Sequence, residues 1–219
     1  MAAHAILSAS GSSKWMNCSG SILAESGMPA DEGSDFAREG TAAHELAEMC
    51  LISQRPPESY IGVEVEGWIV DEEMADHVSK YVDYCNMHTG KKYYELRVDY
   101  SRWAHGGFGT ADCVAVDDGV LNIIDLKYGT GIKVSAQKNS QLMLYGLGAL
   151  EMFSDEVDVV TMTIVQTRLD HIDTYSIRAK DLLKWAEDEV RPAALATMNP
   201  DPTFNPSPTA CRWCRAKPV

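Results

Sequence analysis

Residues 109–127 read GTADCVAVDDGVLNIIDLK, and this stretch decides the fold. Two runs rich in β-branched residues, 109–116 and 120–128, flank Asp117-Asp118-Gly119. Asp-Gly between two such runs is among the strongest hairpin signals that a sequence contains. The stretch therefore predicts two antiparallel strands joined by a tight turn at Asp118 and Gly119.

A two-residue turn also fixes the register of the hairpin. Asp117 then pairs with Val120, and counting back along both strands sets Asp112 opposite Asp125. Directly opposed side chains have Cβ atoms roughly 4.5 to 5.5 Å apart, so two carboxylates there repel each other unless a cation lies between them. Side chains two positions apart share a face, so Lys127 points to the same side as Asp125.

Asp125 interrupts an apolar run, since Ile123, Ile124 and Leu126 make its strand hydrophobic on both faces. An unpaired charge in such a place costs several kcal/mol or more, which favours a function for it over a solvated Asp-Lys surface. Carboxylate oxygens suit Mg²⁺ or Mn²⁺. The pattern predicts one or two such ions at Asp112 and Asp125, with Lys127 orienting a water molecule.

Outside the hairpin, hydrophobic periodicity predicts the remaining elements. Helices are expected at 14–18, 36–52, 72–88, 136–153 and 180–195, and strands from 93 onward, at 157–166 and at 172–177. This order is that of an α/β fold, with a mixed central β-sheet flanked by helices. We expect one domain over 1–219, with a core of about 36–195 and a proline-rich tail over 199–219 that contains a Cys-x2-Cys motif.

The net charge of −13 argues against a passive nucleic-acid coat, because duplex affinity comes largely from Lys and Arg. The segment from Lys91 to Lys138, however, contains seven basic and six acidic residues, so the predicted catalytic segment is nearly neutral. No apolar run is long enough for a bilayer, and six cysteines are too few for a disulfide scaffold. These features predict a cytoplasmic protein without a membrane partner.

Four short motifs occur in chain order: Gly40-Thr41-Ala42-Ala43-His44, Gly109-Thr110-Ala111-Asp112, Ile124-Asp125-Leu126-Lys127 and Gln141-Leu142-Met143-Leu144-Tyr145. Together they resemble the RecB-like branch of the PD-(D/E)XK nucleases, which includes phage lambda exonuclease and CRISPR-associated iron-sulfur nucleases. The resemblance implies a restriction-endonuclease-like core and a deoxyribonuclease that depends on Mg²⁺ or Mn²⁺, in a bacterium or a phage-infected host cell.

The resemblance also implies roles for individual residues. Asp112, Asp125 and the backbone carbonyl of Leu126 become metal ligands, and Lys127 becomes catalytic. His44 becomes a further ligand or a residue that supports the ligands. Gln141 and Tyr145, one helical turn apart, are placed at the substrate phosphate or at a terminal base, although a Tyr packed in the core with Gln at its rim remains open. Glu95 is an additional acidic candidate, but an ordinary alternating strand explains it equally well.

Three cysteines resemble ligands of the [4Fe-4S] cluster that several nucleases of this branch carry. They are Cys18, Cys211 and Cys214, the last two with a spacing that zinc sites also use. A fourth matching cysteine is absent from the sequence, so three alternatives stay open: the cluster is absent, a non-cysteine ligand completes it, or the region beyond residue 219 was lost. Cys50, Cys85 and Cys113 are expected to be small buried hydrophobic residues.

The leading hypothesis is an exonuclease that processes DNA ends, on linear duplex or single strands, in recombination, repair or phage replication. A single-strand annealing or recombination protein is then a candidate partner, and a homo-oligomer is a candidate assembly. The alternatives are an endonuclease of the same superfamily, a catalytically silent nuclease fold that acts as a DNA-binding or adaptor protein, and a structural protein built around zinc or a cluster.

Overall fold

The computed structural model describes residues 5–29, 33–153 and 157–217, and its centre is a five-stranded mixed sheet. The described strands are β1 (Glu64–Val65), β2 (Trp68–Ile69), β3 (Lys91–Asp99), β4 (Phe108–Asp117), β5 (Val120–Leu126), β6 (Val159–Gln166) and β7 (His171–Arg178). The central sheet has the order β3-β4-β5-β6-β7, in which only β5 and β6 run parallel. The predicted mixed α/β architecture is therefore confirmed.

The turn between β4 and β5 has the predicted geometry. Asp118 and Gly119 both have positive φ, 44° and 80°, as a type I′ turn requires. The predicted register holds from Asp117↔Val120 to Cys113↔Ile124.

The predicted pairing of Asp112 with Asp125 does not continue that register, because the paired residues end one position earlier. The backbone N–H of Leu126 donates instead to Oδ2 of Asp112 at 2.8 Å. A side chain thus takes the donor that a longer ladder would use, and Asp125 pairs through its backbone with Ile164 of β6. The prediction that Asp112 pairs directly with Asp125 is therefore corrected, since the ladder between β4 and β5 ends at Cys113 and Ile124.

Helices cover both faces of the sheet. They are α1 (Ser12–Trp15), α2 (Ser21–Glu25), α3 (Asp35–Ser53), α4 (Glu72–Met87), α5 (Ser140–Phe153), α6 (Ala179–Trp185), α7 (Arg191–Thr197) and α8 (Pro208–Cys211). Short 3-10 turns lie at Pro57–Tyr60 and Thr167–Leu169. The helices predicted at 36–52 and 72–88 agree with α3 and α4 to within one residue at each end.

The helix predicted at 136–153 begins later than expected, at Ser140. The Asn139 side chain accepts hydrogen bonds from the backbone of Gln141 and Leu142, at 3.1 and 3.3 Å, and so satisfies donors of the first turn. The Asp173 carboxylate binds the backbone N–H of Ala136 at 2.8 Å, which holds that residue in a loop. Long-range and local caps together set the start of α5.

The helix predicted at 180–195 is interrupted. A π-helical turn, Ala186–Val190, separates α6 from α7. Pro192 lies in the first turn of α7, and a proline inside a regular helix lacks the N–H and clashes with the carbonyl four residues earlier. The wider turn accommodates this proline.

Two hydrophobic clusters lie on opposite faces of the sheet, which explains why β5 is apolar at nearly every position. Ile123 packs with α5 in one cluster, and Ile124 and Leu126 pack with α3 and α4 in the other. Gly148 faces the sheet and lets α5 pack closely against it, because a Cβ at this position would lie 2.8 Å from the Cβ of Val98.

The proline-rich tail packs against the N-terminal helices. Gly20 donates its N–H to the carbonyl of Thr203 at 2.9 Å, and the side chain of Asn205 donates to the carbonyl of Asn17 at 3.1 Å. Across the described ranges, no helix combines the length and apolarity needed to span a bilayer. A single domain over 1–219 and a cytoplasmic location remain predictions.

Candidate metal centre and active site

Three elements bring a histidine and two carboxylates together. His44 of α3, Glu95 of β3 and Asp112 of β4 each offer one ligand atom, and these atoms lie within 4.8 Å of one another. Nδ1 of His44 is 3.3 Å from Oδ2 of Asp112. Because Mg²⁺ binds oxygen at about 2.1 Å, two ligands of one ion are at most about 4.2 Å apart. A contraction of roughly half an ångström would fit this set to an ion.

Glu95 reaches the group through an unusual backbone conformation. Its φ is 45°, in the left-handed region, while the ladder between β3 and β4 is formed on both sides of it, at Tyr94↔Cys113 and Leu96↔Ala111. For a residue with a Cβ this conformation costs of order 1–3 kcal/mol, and such strain concentrates at functional sites. The candidate that the sequence left open is therefore placed beside Asp112.

The electrostatics of this group favour a proton or a cation. Burial raises the pKa of Glu95 to about 7, and the negative charge of Asp112 acts in the same direction. Burial lowers the pKa of His44, but the charge of Asp112 and its hydrogen bond outweigh that effect, so the net pKa is raised. The carboxylates of Glu95 and Asp112 thus lie beside one histidine, and two neighbouring negative charges favour a cation between them.

Asp125 and Lys127 form a buried ion pair beside the group. Asp125 is 2% exposed, as the apolar strand predicted, and its Oδ2 lies 2.9 Å from Nζ of Lys127. Burial raises the pKa of Asp125, against the opposing effect of Lys127. Burial would lower the pKa of Lys127, but the carboxylate of Asp125 outweighs it and the pKa is raised. The predicted shared face is confirmed, while Asp125 as a metal ligand remains a prediction.

Gln141 and Tyr145 complete the network from one face of α5. Nε2 of Gln141 is 3.3 Å from Oδ1 of Asp125 and 3.1 Å from the hydroxyl of Tyr145. Nζ of Lys127 donates to Oε1 of Gln141 at 3.3 Å. The two residues share one helix face, as predicted. Their contact with a substrate remains a prediction.

A groove of about 1250 Å³ opens onto the ion pair, since Lys127 and Gln141 both line it. We call it the basic groove, and its lining comes from residues within 10–17, 127–143, 166–177, 185–193 and 209–213. Gln166 holds its wall in place. The side-chain amide of this buried residue donates to the carbonyls of Gly129 and Ile132, at 3.0 and 3.2 Å, and its Oε1 accepts from the N–H of Val134 at 3.1 Å. No pattern in the sequence indicates this role of Gln166.

The cysteines fall into two groups. Cys50, Cys85 and Cys113 are buried, as predicted for small hydrophobic residues. Cys18 is buried near the tail and accepts the N–H of Asn205, whereas Cys211 and Cys214 are partly exposed. Within the part of the chain that is described, these three sulfur atoms do not form a set close enough for a single ion. The wider [4Fe-4S] cluster remains a prediction.

The comparisons with known proteins concern nearly the whole chain. Residues 4–219 match a family model described as "Protein of unknown function (DUF2800)". A solved structure described as "Crystal structure of SSO0001" is similar with a TM-score of 0.38 and 17% identity, covering 94% of this chain and 81% of that one. A similarity of this size leaves the activity to be argued from the chain's own residues.

Proposed function

We propose that this chain, which belongs to the DUF2800 family of proteins of unknown function, is a deoxyribonuclease that depends on Mg²⁺ or Mn²⁺. The observation that supports the proposal most is the position of His44, Glu95 and Asp112 directly beside the buried pair of Asp125 and Lys127. Oxygen-rich ligands with one imidazole suit these ions.

His44, Glu95 and Asp112 are the residues that would hold the ion. Its chemistry would be to activate a water molecule and to stabilise negative charge on a phosphate. The neighbouring carboxylates of Glu95 and Asp112 repel each other without a counter-charge, so the donor set itself favours a cation.

Lys127 supplies the positive charge that a phosphodiester needs at the reacting centre. Its side chain is 28% exposed and lines the basic groove, so the ammonium can reach a phosphate oxygen while Asp125 holds its position. Gln141 bridges the two, because its side-chain oxygen accepts from Lys127 and its amide donates to Asp125, and this keeps the ammonium in place. Such fixed donors stabilise charge that develops in a transition state, because they need no reorganisation.

A purely binding role explains the site less well. Two neighbouring carboxylates repel a nucleic acid, and the buried charge of Asp125 lowers stability unless it is paired. A DNA adaptor would gain affinity and stability by losing these groups, which makes the enzyme the better account. We place DNA ends first among substrates, with cleavage within the strand as the alternative to test.

Metal binding is tested first, without reference to activity. We expect Mn²⁺ to raise the melting temperature of the metal-free protein, by roughly 5–10 °C at one hundred times the dissociation constant. Glu95→Gln and Asp112→Asn should reduce this shift, whereas the distant surface variant Lys184→Met should not. Equal shifts in all four proteins would contradict the proposed ligands.

Cleavage is then measured on end-labelled linear DNA and on circular DNA with Mg²⁺ or Mn²⁺. We expect Asp112→Asn and Lys127→Met to lower the rate at least about 100-fold, as is usual when a charge-stabilising group is lost. Lys184→Met is the matched control, because its lysine is exposed and ion-paired on α6. Digestion of only the linear form indicates an exonuclease. Unchanged rates in both site variants would exclude the nuclease proposal.

A further inference from the structure

The basic groove concentrates positive charge in an acidic protein. Four basic side chains line it, Lys127, Lys133, Lys138 and Arg212, against one acidic side chain, Glu189. The whole chain has a net charge of −13, so this surface differs in sign from the rest. A surface of this kind attracts a polyanion, and each Lys or Arg that meets a phosphate releases counterions.

The same groove presents an aromatic ring to solvent. Trp213 lines it with 74% of its surface exposed, and the guanidinium carbon of Arg212 lies 5.3 Å from the ring centroid. Exposed tryptophan and arginine planes are the groups on which unpaired bases stack. The combination of stacking surface and cations is typical of a nucleic-acid strand site.

Trp213 stands on a firmly anchored segment. Ser207 caps α8 by accepting the N–H of Ala210 at 3.1 Å. Oε1 of Glu25 accepts the N–H of Arg215 at 2.8 Å, and Nη1 of Arg215 donates to the carbonyl of Pro29 at 2.7 Å. Trp213 is thus held between two fixed points, which reduces the entropy that ligand binding would cost.

The size of the groove and the stacking surface both favour one strand over two. Small-molecule pockets measure roughly 300–1,000 Å³, so about 1250 Å³ accommodates a few nucleotides of one strand. In a duplex the bases are paired and stacked on each other, and they reach an aromatic side chain only after unpairing. A stacking residue in the same groove as Lys127 therefore suits unpaired bases.

We infer that the basic groove binds single-stranded DNA, with a base stacked on Trp213 and phosphates at Lys133, Lys138 and Arg212. The course of the strand toward the metal centre rests on the proposed nuclease function, because Lys127 and Gln141 of that centre line the same groove. The strand enters along the tail and leads a phosphodiester to the metal centre. A duplex then has to fray before it reaches that centre.

The test measures binding by the full chain in metal-free buffer with a chelator, so that cleavage does not interfere. The probe is a labelled oligothymidylate of about twelve nucleotides, within the usual range of strand sites. Its duplex with oligodeoxyadenylate and the matching oligouridylate are the competitors. We expect the single DNA strand to bind at least about tenfold more tightly than the duplex, since only unpaired bases can stack on Trp213.

Trp213→Ala should weaken binding of the single strand roughly 5- to 150-fold, the equivalent of one lost stack. Phe36→Ala is the matched control, because Phe36 is 78% exposed and does not line the groove. The logarithm of the binding constant falls linearly with the logarithm of the salt concentration. Lys133→Ala and Lys138→Ala should each make this slope shallower by about 0.7, the value for one phosphate of a single strand. Equal effects of Trp213→Ala and Phe36→Ala, or equal binding of the duplex, would overturn the inference, and stronger binding of oligouridylate would assign the groove to RNA.

The failures of the two proposals are distinguishable. If wild type cuts single strands with Mn²⁺ but Trp213→Ala binds and cuts normally, the groove inference is wrong and the nuclease proposal stands. If binding depends on Trp213 but no DNA is cut with either metal, the nuclease proposal is wrong and the groove remains a strand site.

Discussion

Lys127→Met isolates the contribution of the buried ion pair. The substitution keeps most of the apolar stem and removes the ammonium 2.9 Å from Oδ2 of Asp125, which is 2% exposed. Removing one partner of a buried pair usually costs about 3–5 kcal/mol. Protonation of Asp125 sets an upper limit, because an aspartate with an ordinary pKa of about 3.9 takes up a proton at pH 7 for about 4 kcal/mol. We expect the free energy of unfolding to fall by about 3–4 kcal/mol at pH 7.

The pH dependence follows from the direction of the pKa shift. Without Lys127, the pKa of Asp125 in the folded chain rises further above its value in the unfolded chain, so the folded chain binds more protons. Stability is then lost as the pH rises from the unfolded pKa toward the folded one. The deficit of Lys127→Met relative to wild type should therefore shrink as the pH is lowered from 7, by at most about 1.4 kcal/mol per pH unit.

Urea titrations of the metal-free protein at pH 7 and pH 5 measure this effect. The double variant Asp125→Asn with Lys127→Met should recover most of the loss, because no buried charge remains. Lys184→Met, which removes an exposed lysine, should change stability by less than about 0.5 kcal/mol. A deficit of equal size at both pH values, or a double variant no more stable than Lys127→Met, would contradict a stabilising ion pair at Asp125.

Three further predictions concern the elements that hold the site. Glu25→Gln should lower the free energy of unfolding at pH 7 by about 1–3 kcal/mol. Burial raises the pKa of Glu25, but its hydrogen bonds outweigh burial and the net pKa is lowered, so the stabilisation by Glu25 is lost as the pH falls through the folded pKa. The variant should therefore lose less stability in acid than wild type. Urea titrations between pH 7 and 3 test this, and parallel curves for the two proteins would contradict it. Asp71→Ala removes the N-cap of α4 and should cost about 1 kcal/mol in the same assay, whereas an unchanged midpoint would show the cap to be dispensable. Gly148→Ala should destabilise by about 1–3 kcal/mol because its Cβ would collide with Val98, whereas Gly40→Ala, in open space on α3, should stabilise by about 0.5–1 kcal/mol; melting temperatures that move together would be inconsistent with this packing.

The parts of the fold that the sequence predicted well depend on short-range chemistry. The Asp118-Gly119 turn admits two positive φ values and so determines the register of β4 and β5 over five residue pairs. The helical periods of α3 and α4 likewise reflect side chains three and four residues apart. Burial of Asp125 followed from its apolar neighbours, since both faces of β5 are covered.

The parts that were missed depend on residues distant in sequence. The start of α5 is set in part by Asp173 of β7, whose carboxylate accepts the backbone N–H of Ala136. The wall of the groove is held by Gln166 of β6. The position of Trp213 depends on Glu25, which binds Arg215 from the other end of the chain. A pattern within one segment contains no information about such contacts. They become visible only when the sheet order is known.

Glu95 marks the limit of sequence reasoning for a different reason. A left-handed φ is expected of Gly, Asn or Asp, and nothing in Tyr93-Tyr94-Glu95 distinguishes it from an ordinary strand. The strained backbone and the raised pKa of Glu95 both accompany a loss of stability, and the buried carboxylate of Asp125, whose charge acts on His44 of the same group, adds a further cost nearby. Sequences that only need to fold have no reason to gather such costs at one place, because substitutions that relieve them are easily found. A bound cation at Glu95 and Asp112 would offset the electrostatic part of these costs, and on this ground we propose that both residues bind metal.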